Sequence, residues 1–340
     1  MREPSPELIQ DRIQDRWMRH MRRGEWEAAW RLSDEELRRR RSGSQIANPC
    51  EPRHLQAIWN GRPLAGKRVL VRCYHGMGDT VQFIRFVALL RQIASNTLVW
   101  AQPQLIPLLR TAAGIDVLLP LHDGEPAVDR DVDIEIMELP YALRVTLETL
   151  PRDVPYFNVG SRSFHPGVRA RPAVGIVWHS GDWDARRSIA PSLMKEMTEL
   201  DGIRWQVLQR GPALASCPAG FGRVPRISSI LDEAVCMRSL DLLISVDTLS
   251  AHLGGALGVP TWTLIPADAD WRWMENRDDT PWYPTMRLFR QDEPGHWRPV
   301  IERVVDALQK WRQSAPDQSV AGRLSASAGL HAPGQASTPL

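Results

Sequence analysis

The run Ser245-Val246-Asp247-Thr248-Leu249-Ser250-Ala251-His252-Leu253-Gly254-Gly255-Ala256-Leu257-Gly258-Val259-Pro260 lies between two apolar segments and sets the architecture of the chain. Leu242-Leu243-Ile244 leads into it and reads as a buried strand. Asp247-Thr248 opens a stretch rich in Ala, Leu and Gly that reads as a helix, closed by Gly258 and Pro260. Thr261 to Ile265 then restarts a strand. A strand, polar turn, helix and strand in this order put an acid, a hydroxyl and free backbone N–H groups at a helix N-terminus, where phosphates bind in many α/β proteins.

Working outward, the same alternation recurs on both sides. Upstream, Val174 to Trp178 is a strand, Pro191 to Leu200 a helix, Trp205 to Leu208 a strand and Ile230 to Arg238 a helix; downstream, Met286 to Phe289 is a strand and Trp297 to Trp311 a helix. A second alternating run precedes these. Val69 to Cys73 is its first strand, Gly76-Met77-Gly78-Asp79-Thr80 the turn after it, and Val81 to Ile93 an amphipathic helix. Thr97 to Ala101, Val117 to Leu119 and Val132 to Ile136 follow as strands, with helices over Pro103 to Ala113 and Leu139 to Leu147. Strands alternating with helices predict parallel, doubly wound sheets. The Pro/Gly/Arg-rich segment Pro151 to Pro172 separates the two runs.

At the N-terminus, Ile9, Ile13, Trp17 and Met21 fall at i+4 spacing, and Trp26, Ala29, Trp30, Ser33 and Leu37 continue the pattern after Gly24. This predicts a helical hairpin turning at Arg23-Gly24. Gly24-Glu25-Trp26-Glu27-Ala28-Ala29 resembles the start of the second helix of a tetratricopeptide repeat, without the 34-residue period of an array. Such a hairpin either caps its own domain or binds a protein partner. From Ser314 onward the Ser/Ala/Gly/Pro/Gln-rich composition predicts disorder.

Chain length allows two ordinary domains. A formal net charge of +2, with both signs interspersed, argues against a nucleic-acid partner. Lys67, Lys195 and Lys310 are the only lysines, so anions must be met by Arg and by backbone N–H groups. Cys50, Cys73, Cys217 and Cys236 show no CxxC spacing, and no leader segment precedes the first helix, which points to a reducing, cytoplasmic setting. No apolar run approaches the roughly 20 residues of a membrane span; contact at the inner-membrane periphery stays open. Gly61 to Arg68 nearly matches a P-loop, but Arg68 replaces the metal-binding hydroxyl and the stretch precedes a strand instead of following one.

Several motifs occur in one order: Trp59-Asn60-Gly61-Arg62-Pro63-Leu64, His75 to Phe86, Leu150 to Tyr156, Arg187-Ser188-Ile189, Ser245 to Pro260, Asp270-Trp271-Arg272-Trp273, Thr280 to Pro284 and Arg287 to Gln291. From about Trp59 to Trp311 the set resembles the glycosyltransferase domain found behind tetratricopeptide repeats in many bacterial proteins. That domain is similar to the ADP-heptose:lipopolysaccharide heptosyltransferases (glycosyltransferase family 9). The resemblance implies a GT-B fold, two Rossmann-like domains facing across a cleft. It divides the chain into a tetratricopeptide-like hairpin over 1–45, an acceptor domain over 59–165, a nucleotide-sugar domain over 172–312 and a disordered tail over 313–340. It implies transfer of a hexosyl or heptosyl unit from a nucleoside diphosphate sugar to a hydroxyl of a saccharide, a lipid-linked acceptor or a protein, with no bound metal and no cofactor.

Carried onto this sequence, the resemblance makes Asp79 the general base, with helix capping as the alternative role for its carboxylate. His75 is the competing base. Gly76, Gly78 and Gln82 belong to the acceptor-side loop. Asp247 and Thr248 match the donor-binding pair, although Leu249 stands where the related enzymes commonly have Gly. His252, one turn later on the same face, either reaches the diphosphate or bonds within the fold. In the loop His179 to Ser188, Arg187, with Arg186 in reserve, is the candidate cation for the leaving diphosphate, against surface pairing with Asp182 and Asp184. Gln209 is the candidate contact for the nucleotide base. Asp131-Val132-Asp133 and Asp268-Ala269-Asp270 are look-alikes of a metal-binding DxD in the wrong strand context. Trp271, Trp273, Trp282 and Tyr283 either stack on sugars or pack an interface. The competing reading is a non-catalytic GT-B adaptor that recruits a partner through its hairpin.

Overall fold

A computed structural model of the chain describes residues 6–42, 52–160, 171–181 and 183–314. The tail from residue 315, part of the linker before residue 171, and Asp182 lie outside the described residues.

The chain opens with α1 (Pro6–Arg22) and α2 (Trp26–Ser42), joined at Gly24. Gly24 has φ +76°, a left-handed turn conformation that a side chain disfavours, and a Cβ there would sit 2.7 Å from Leu147 Cδ1. Next come β1 (Arg68–Arg72), α3 (Met77–Phe83), α4 (Arg85–Ile93), β2 (Asn96–Ala101), α5 (Ile106–Leu109), β3 (Val117–Pro120), β4 (Val132–Glu135) and α6 (Leu139–Ala142). The later half holds β5 (Ala173–Val177), α7 (Lys195–Thr198), β6 (Arg204–Val207), α8 (Ile230–Met237), β7 (Leu242–Val246), α9 (Leu249–Ala256), β8 (Thr261–Ile265), β9 (Met286–Arg290) and α10 (Trp297–Ser314).

The strands form two fully parallel sheets, ordered β3-β2-β1-β4 and β6-β5-β7-β8-β9. β5, β7 and β8 are buried at every position. That is why β5 and most of β7 read as apolar runs instead of alternating ones, while β8 buries Thr261 and Thr263 as well. In each sheet the strand order reverses direction once, between β1 and β4 and between β5 and β7. A crevice opens at the carboxyl ends of the strands at such a switch point.

Several helices are shorter than their periodicity predicts. The helix expected over Val81 to Ile93 starts earlier, at Met77, and breaks at Ile84 into α3 and α4. Gly78 and Asp79, expected in the preceding turn, therefore lie in the first helical turn, and Gly76 alone is the cap. Pro103 to Ala113 reduces to a 3-10 turn and α5, each with Pro in its first turn. Leu139 to Leu147 reduces to α6, and Pro191 to Leu200 to a 3-10 turn and α7. Apolar spacing marks the buried side of these segments but does not supply the backbone bonds that extend a helix.

One core lies under α10, between it and the later sheet, and includes Trp178, Trp205, Val300, Val304 and Leu308. A larger one is continuous from the hairpin through the first sheet to the α8–α9 side of the second. The hairpin is integral to it. Trp26 packs on Trp282 with ring centroids 5.2 Å apart, Trp30 on Tyr141 at 5.8 Å, and Trp17 edge-on to Trp271 at 5.5 Å. Trp30 Nε1 donates to Val145 O at 2.7 Å, and Arg22 reaches Asp268 at 3.0 Å. The inner face of the hairpin is thus used by its own chain.

Candidate functional site

The two switch points face each other. The turn after β1 presents His75, the first turn of α3 Asp79 and the end of β4 Glu135, while the segments leaving β5 and β7 present His179, Arg187 and Asp247-Thr248. α3 lies directly against α9. A Cβ on Gly78 would sit 3.1 Å from His252 Cδ2 and 3.6 Å from Leu249 Cα. The Gly78 of one half thus meets the Leu249 of the other. Gly78→Val must push these helices apart, and we expect a loss of about 1–3 kcal/mol, read as a lower denaturation midpoint.

Arg272 joins the halves. Its Nη2 donates to Asp79 Oδ1 at 2.6 Å, Nη1 to Asp270 Oδ1 at 2.7 Å and Nε to Gln82 Oε1 at 2.9 Å. Arg272 is 7% exposed, and its planar guanidinium fork meets two carboxylates and an amide at once. Burial opposes its charge, but the flanking Asp270 and Asp79 hold it firmly protonated. Burial likewise opposes ionisation of Asp270, and Arg272 outweighs it, leaving the carboxyl below its ordinary range. Asp79 Oδ2 accepts from Gly76 N at 3.0 Å, so the carboxylate reaches back over the helix start from the third helical position. Capping and ion pairing coexist in Asp79, and its side chain stays 26% exposed. A carboxylate with about four lone-pair sites retains acceptor capacity beyond these two bonds.

On the other side, Asp247 is buried, and burial raises its carboxyl above the usual range. Arg187 Nη1 lies 3.7 Å from Asp247 Oδ2 and 3.4 Å from its carbonyl oxygen. Arg187 Nε is buried without a hydrogen bond, 4.0 Å from Asp184 Oδ2, so the pairing with Asp184 is present but long. Arg186 points elsewhere, in a two-pronged pair with Asp184. Thr248 caps α9 without a side-chain cap bond, leaving the first N–H groups of that helix unmet by it. His252 Nδ1 bonds Tyr283 Oη at 3.0 Å, its ring stacks on Trp273 at 5.3 Å, and Nε2 lies 3.8 Å from Asp247 Oδ1. Burial, with Arg272 nearby, depresses its pKa to about 3, so the imidazole is neutral. Unfolding releases a ring that titrates near 6.5. The stabilising effect of burying it neutral is therefore full above pH 6.5 and lost as pH falls from there toward 3. His252→Asn should flatten the fall of stability between pH 6.5 and 4 by roughly 1.4 kcal/mol per pH unit, measured by urea denaturation across that range.

Gln209 lines the crevice, but its Oε1 accepts from Trp178 N and His179 N at 3.0 and 2.9 Å and its Nε2 donates to Arg210 O at 3.0 Å. Its amide fixes the exit of β5. Gln82 is fully buried and serves Arg272. His75 Nε2 lies 3.8 Å from Glu135 Oε2, and burial lowers the basicity of its ring.

The four DxD carboxylates are all engaged by arginines: Asp131 by Arg68, Asp133 by Arg72 and Arg130, Asp268 by Arg22, and Asp270 by Arg272. Among the described residues no group of three His, Cys, Asp or Glu side chains is arranged to hold a metal ion. Trp271, Trp273, Trp282 and Tyr283 are buried and pack where hairpin and sheets meet.

Between the sheets lies a cavity of about 1100 Å³. Met77, Pro103, Gln104 and Pro107 wall it from the first sheet; His179 to Gly181, Leu208 to Ala213 and Thr248 to Ser250 wall it from the second. At its floor Glu233, 2% exposed, accepts from Ser250 Oγ at 2.9 Å and pairs with Arg210.

Three residues escaped sequence reasoning. Arg272 stood in the quoted Asp270 to Trp273 motif, where a lone Arg among tryptophans was the available signal. Glu135, at the end of β4, is pushed up to about 8 by burial while accepting from Met137 N and Tyr74 N. Glu233 carried no local signal.

The fold is therefore α/β with two parallel, Rossmann-like sheets facing across a crevice, the GT-B arrangement, with N-terminal helices added. No family model matches the chain. It is similar to the protein FlbA of Caulobacter vibrioides, 24% identical over 295 residues, which covers 75% of this chain and 48% of FlbA. The chain thus spans about half the length of that curated relative. Among solved structures it is similar to the Escherichia coli heptosyltransferase WaaC with ADP, at 13% identity and TM-score 0.47, covering 72% of this chain and 99% of that one. It is also similar to a glycosyl transferase family 9 protein from Veillonella parvula, at 14% identity and TM-score 0.48, covering 74% and 99%. Among the described residues no helix is long and apolar enough to cross a membrane.

Proposed function

We propose that the chain is a glycosyltransferase that moves a sugar from a nucleoside diphosphate sugar to an acceptor hydroxyl. The observation that carries this reading is the cavity of about 1100 Å³ at the switch point of the later sheet, walled by both halves and ending at the start of α9. It has the size and position for a nucleotide-bearing donor. The nucleoside occupies the cavity, and the diphosphate lies at the α9 N-terminus beside Thr248, where unmet N–H groups favour anions. Arg187, whose Nε makes no hydrogen bond and whose contacts with Asp184 and Asp247 are long, turns toward the leaving diphosphate. Its charge and the helix N-terminus offset the developing negative charge without a metal ion.

In the transfer step the acceptor oxygen forms a bond to the anomeric carbon. The bond from that carbon to the diphosphate oxygen breaks, and its electron pair leaves with the diphosphate. The acceptor proton passes to Asp79, which Arg272 holds aimed from the first turn of α3. The test is a thermal-shift screen against nucleoside diphosphates and their sugars, followed by donor hydrolysis and transfer assays. A native-state shift with one nucleotide class and turnover of its sugar supports the reading; no binding to any member of the panel sinks it.

One observation favours the second reading, a non-catalytic adaptor. Both Asp79 oxygens are already bonded, and α3 rests on α9 beside Leu249. An adaptor binds a donor without turnover and presents the outer face of its hairpin to a protein partner.

A further inference from the structure

Trp183 is 83% exposed; among the described residues the other large exposed apolar side chains are Ile93 and Val224. It belongs to the loop after β5, on the later sheet. Its indole meets His54 edge-on, with ring centroids 6.2 Å apart and planes at 88°. His54 in turn meets His75, at 6.2 Å and 68°. The three rings come from three separate segments, on both sides of the crevice, and form a row from solvent toward the start of α3. His75 ends the row, four residues before Asp79 and 3.8 Å from the buried Glu135 carboxyl.

The row is held in place. The turn carrying His54 is pinned by its neighbour Arg53, which donates to His122 O and Gly124 O and lies over the rings of Tyr74 and Trp100. At 83% exposure the Trp183 indole keeps a face open to solvent, where a ligand can lie on it.

We propose that Trp183, His54 and His75 form the acceptor subsite and that the acceptor they take is a sugar ring; this rests on the glycosyltransferase reading above. A pyranose presents a C–H face and a rim of hydroxyls. The C–H face lies on the open face of the Trp183 indole, which supplies apolar contact with a polar edge nearby. The two imidazoles bring ring nitrogens that can hydrogen-bond the rim. The row then delivers one ring hydroxyl to the Asp79 end of the crevice. A lipid chain would need a long apolar groove, and the loop carrying Trp183 continues with Asp184, Arg186 and Arg187 instead.

Saturation-transfer NMR with a panel of methyl glycosides reads acceptor binding without turnover, so it tests this subsite even where donor chemistry fails. The wild-type donor thermal shift tests the underlying reading separately. We expect at least one methyl glycoside to bind wild type, Trp183→Ala to weaken it about tenfold or more, Trp183→Phe to restore most of the loss, and His54→Ala to weaken it less. Trp183 is exposed, so its variants stay folded. Unchanged glycoside affinity in Trp183→Ala overturns the proposal. So does the absence of glycoside binding alongside Trp183-dependent binding of a Ser/Thr peptide.

Discussion

Arg272→Ala should cost the fold about 3–5 kcal/mol, the scale of breaking a buried ion pair by removing one partner. The magnitude follows from what remains. Asp79, Asp270 and Gln82 would face one another across the two halves with their common donor gone. Asp270 would suffer most, because its low pKa depends on the guanidinium opposing the cost of burial. Arg272→Lys should recover little, since an ammonium on a flexible stem cannot fork to two carboxylates and an amide. Combining Arg272→Met with Asp79→Asn and Asp270→Asn should recover much of the loss, as neutral groups remove the uncompensated charge. Urea midpoints of the three variants decide the matter. If the single Arg272→Ala variant unfolds at the wild-type midpoint, Arg272 is not the joint between the halves.

Asp79→Asn should lower the transfer rate by about 10²–10⁴ while the donor-induced thermal shift persists. An amide keeps an oxygen for Arg272 and removes the group that takes the proton. The split between rate and donor binding separates a base from a structural residue, because loss of structure would weaken both. Full retention of rate would falsify the base assignment, and a matching loss in His75→Ala would move the role to the imidazole. His75 is the physical alternative because it lies in the turn just before α3 with Glu135 behind it.

These two residues also show where sequence reasoning reaches and where it stops. Ser245 to Pro260 was readable because its signals are local: an apolar run, an acid and hydroxyl at a helix start, and Gly258 and Pro260 at the end. Both sheets followed from the same signals repeated. Asp79 was found through its position after a strand. Its partner was not, because Arg272 lies 193 residues away and an ion pair at that separation leaves no periodic trace. The break at Ile84 was hidden for another reason. α3 and α4 both bury apolar side chains, so the pattern runs on across a backbone interruption. Gln209 illustrates the converse: its place at a strand end suggested a ligand contact, while the N–H groups of Trp178 and His179 had prior need of its oxygen. Trp17, Trp26 and Trp30 declared a buried face but not what covers it.

That covering surface has a consequence for synthesis of the chain. Arg22 finds Asp268 only 246 residues later, and Trp17 and Trp26 wait for Trp271 and Trp282. At ~5–20 residues per second a ribosome needs roughly 12–50 s to supply them. Throughout that interval the hairpin is exposed with an aromatic face that its later partners do not yet shield. These helices complete their packing long after they are made, and their tryptophans are what a holdase would meet in the meantime.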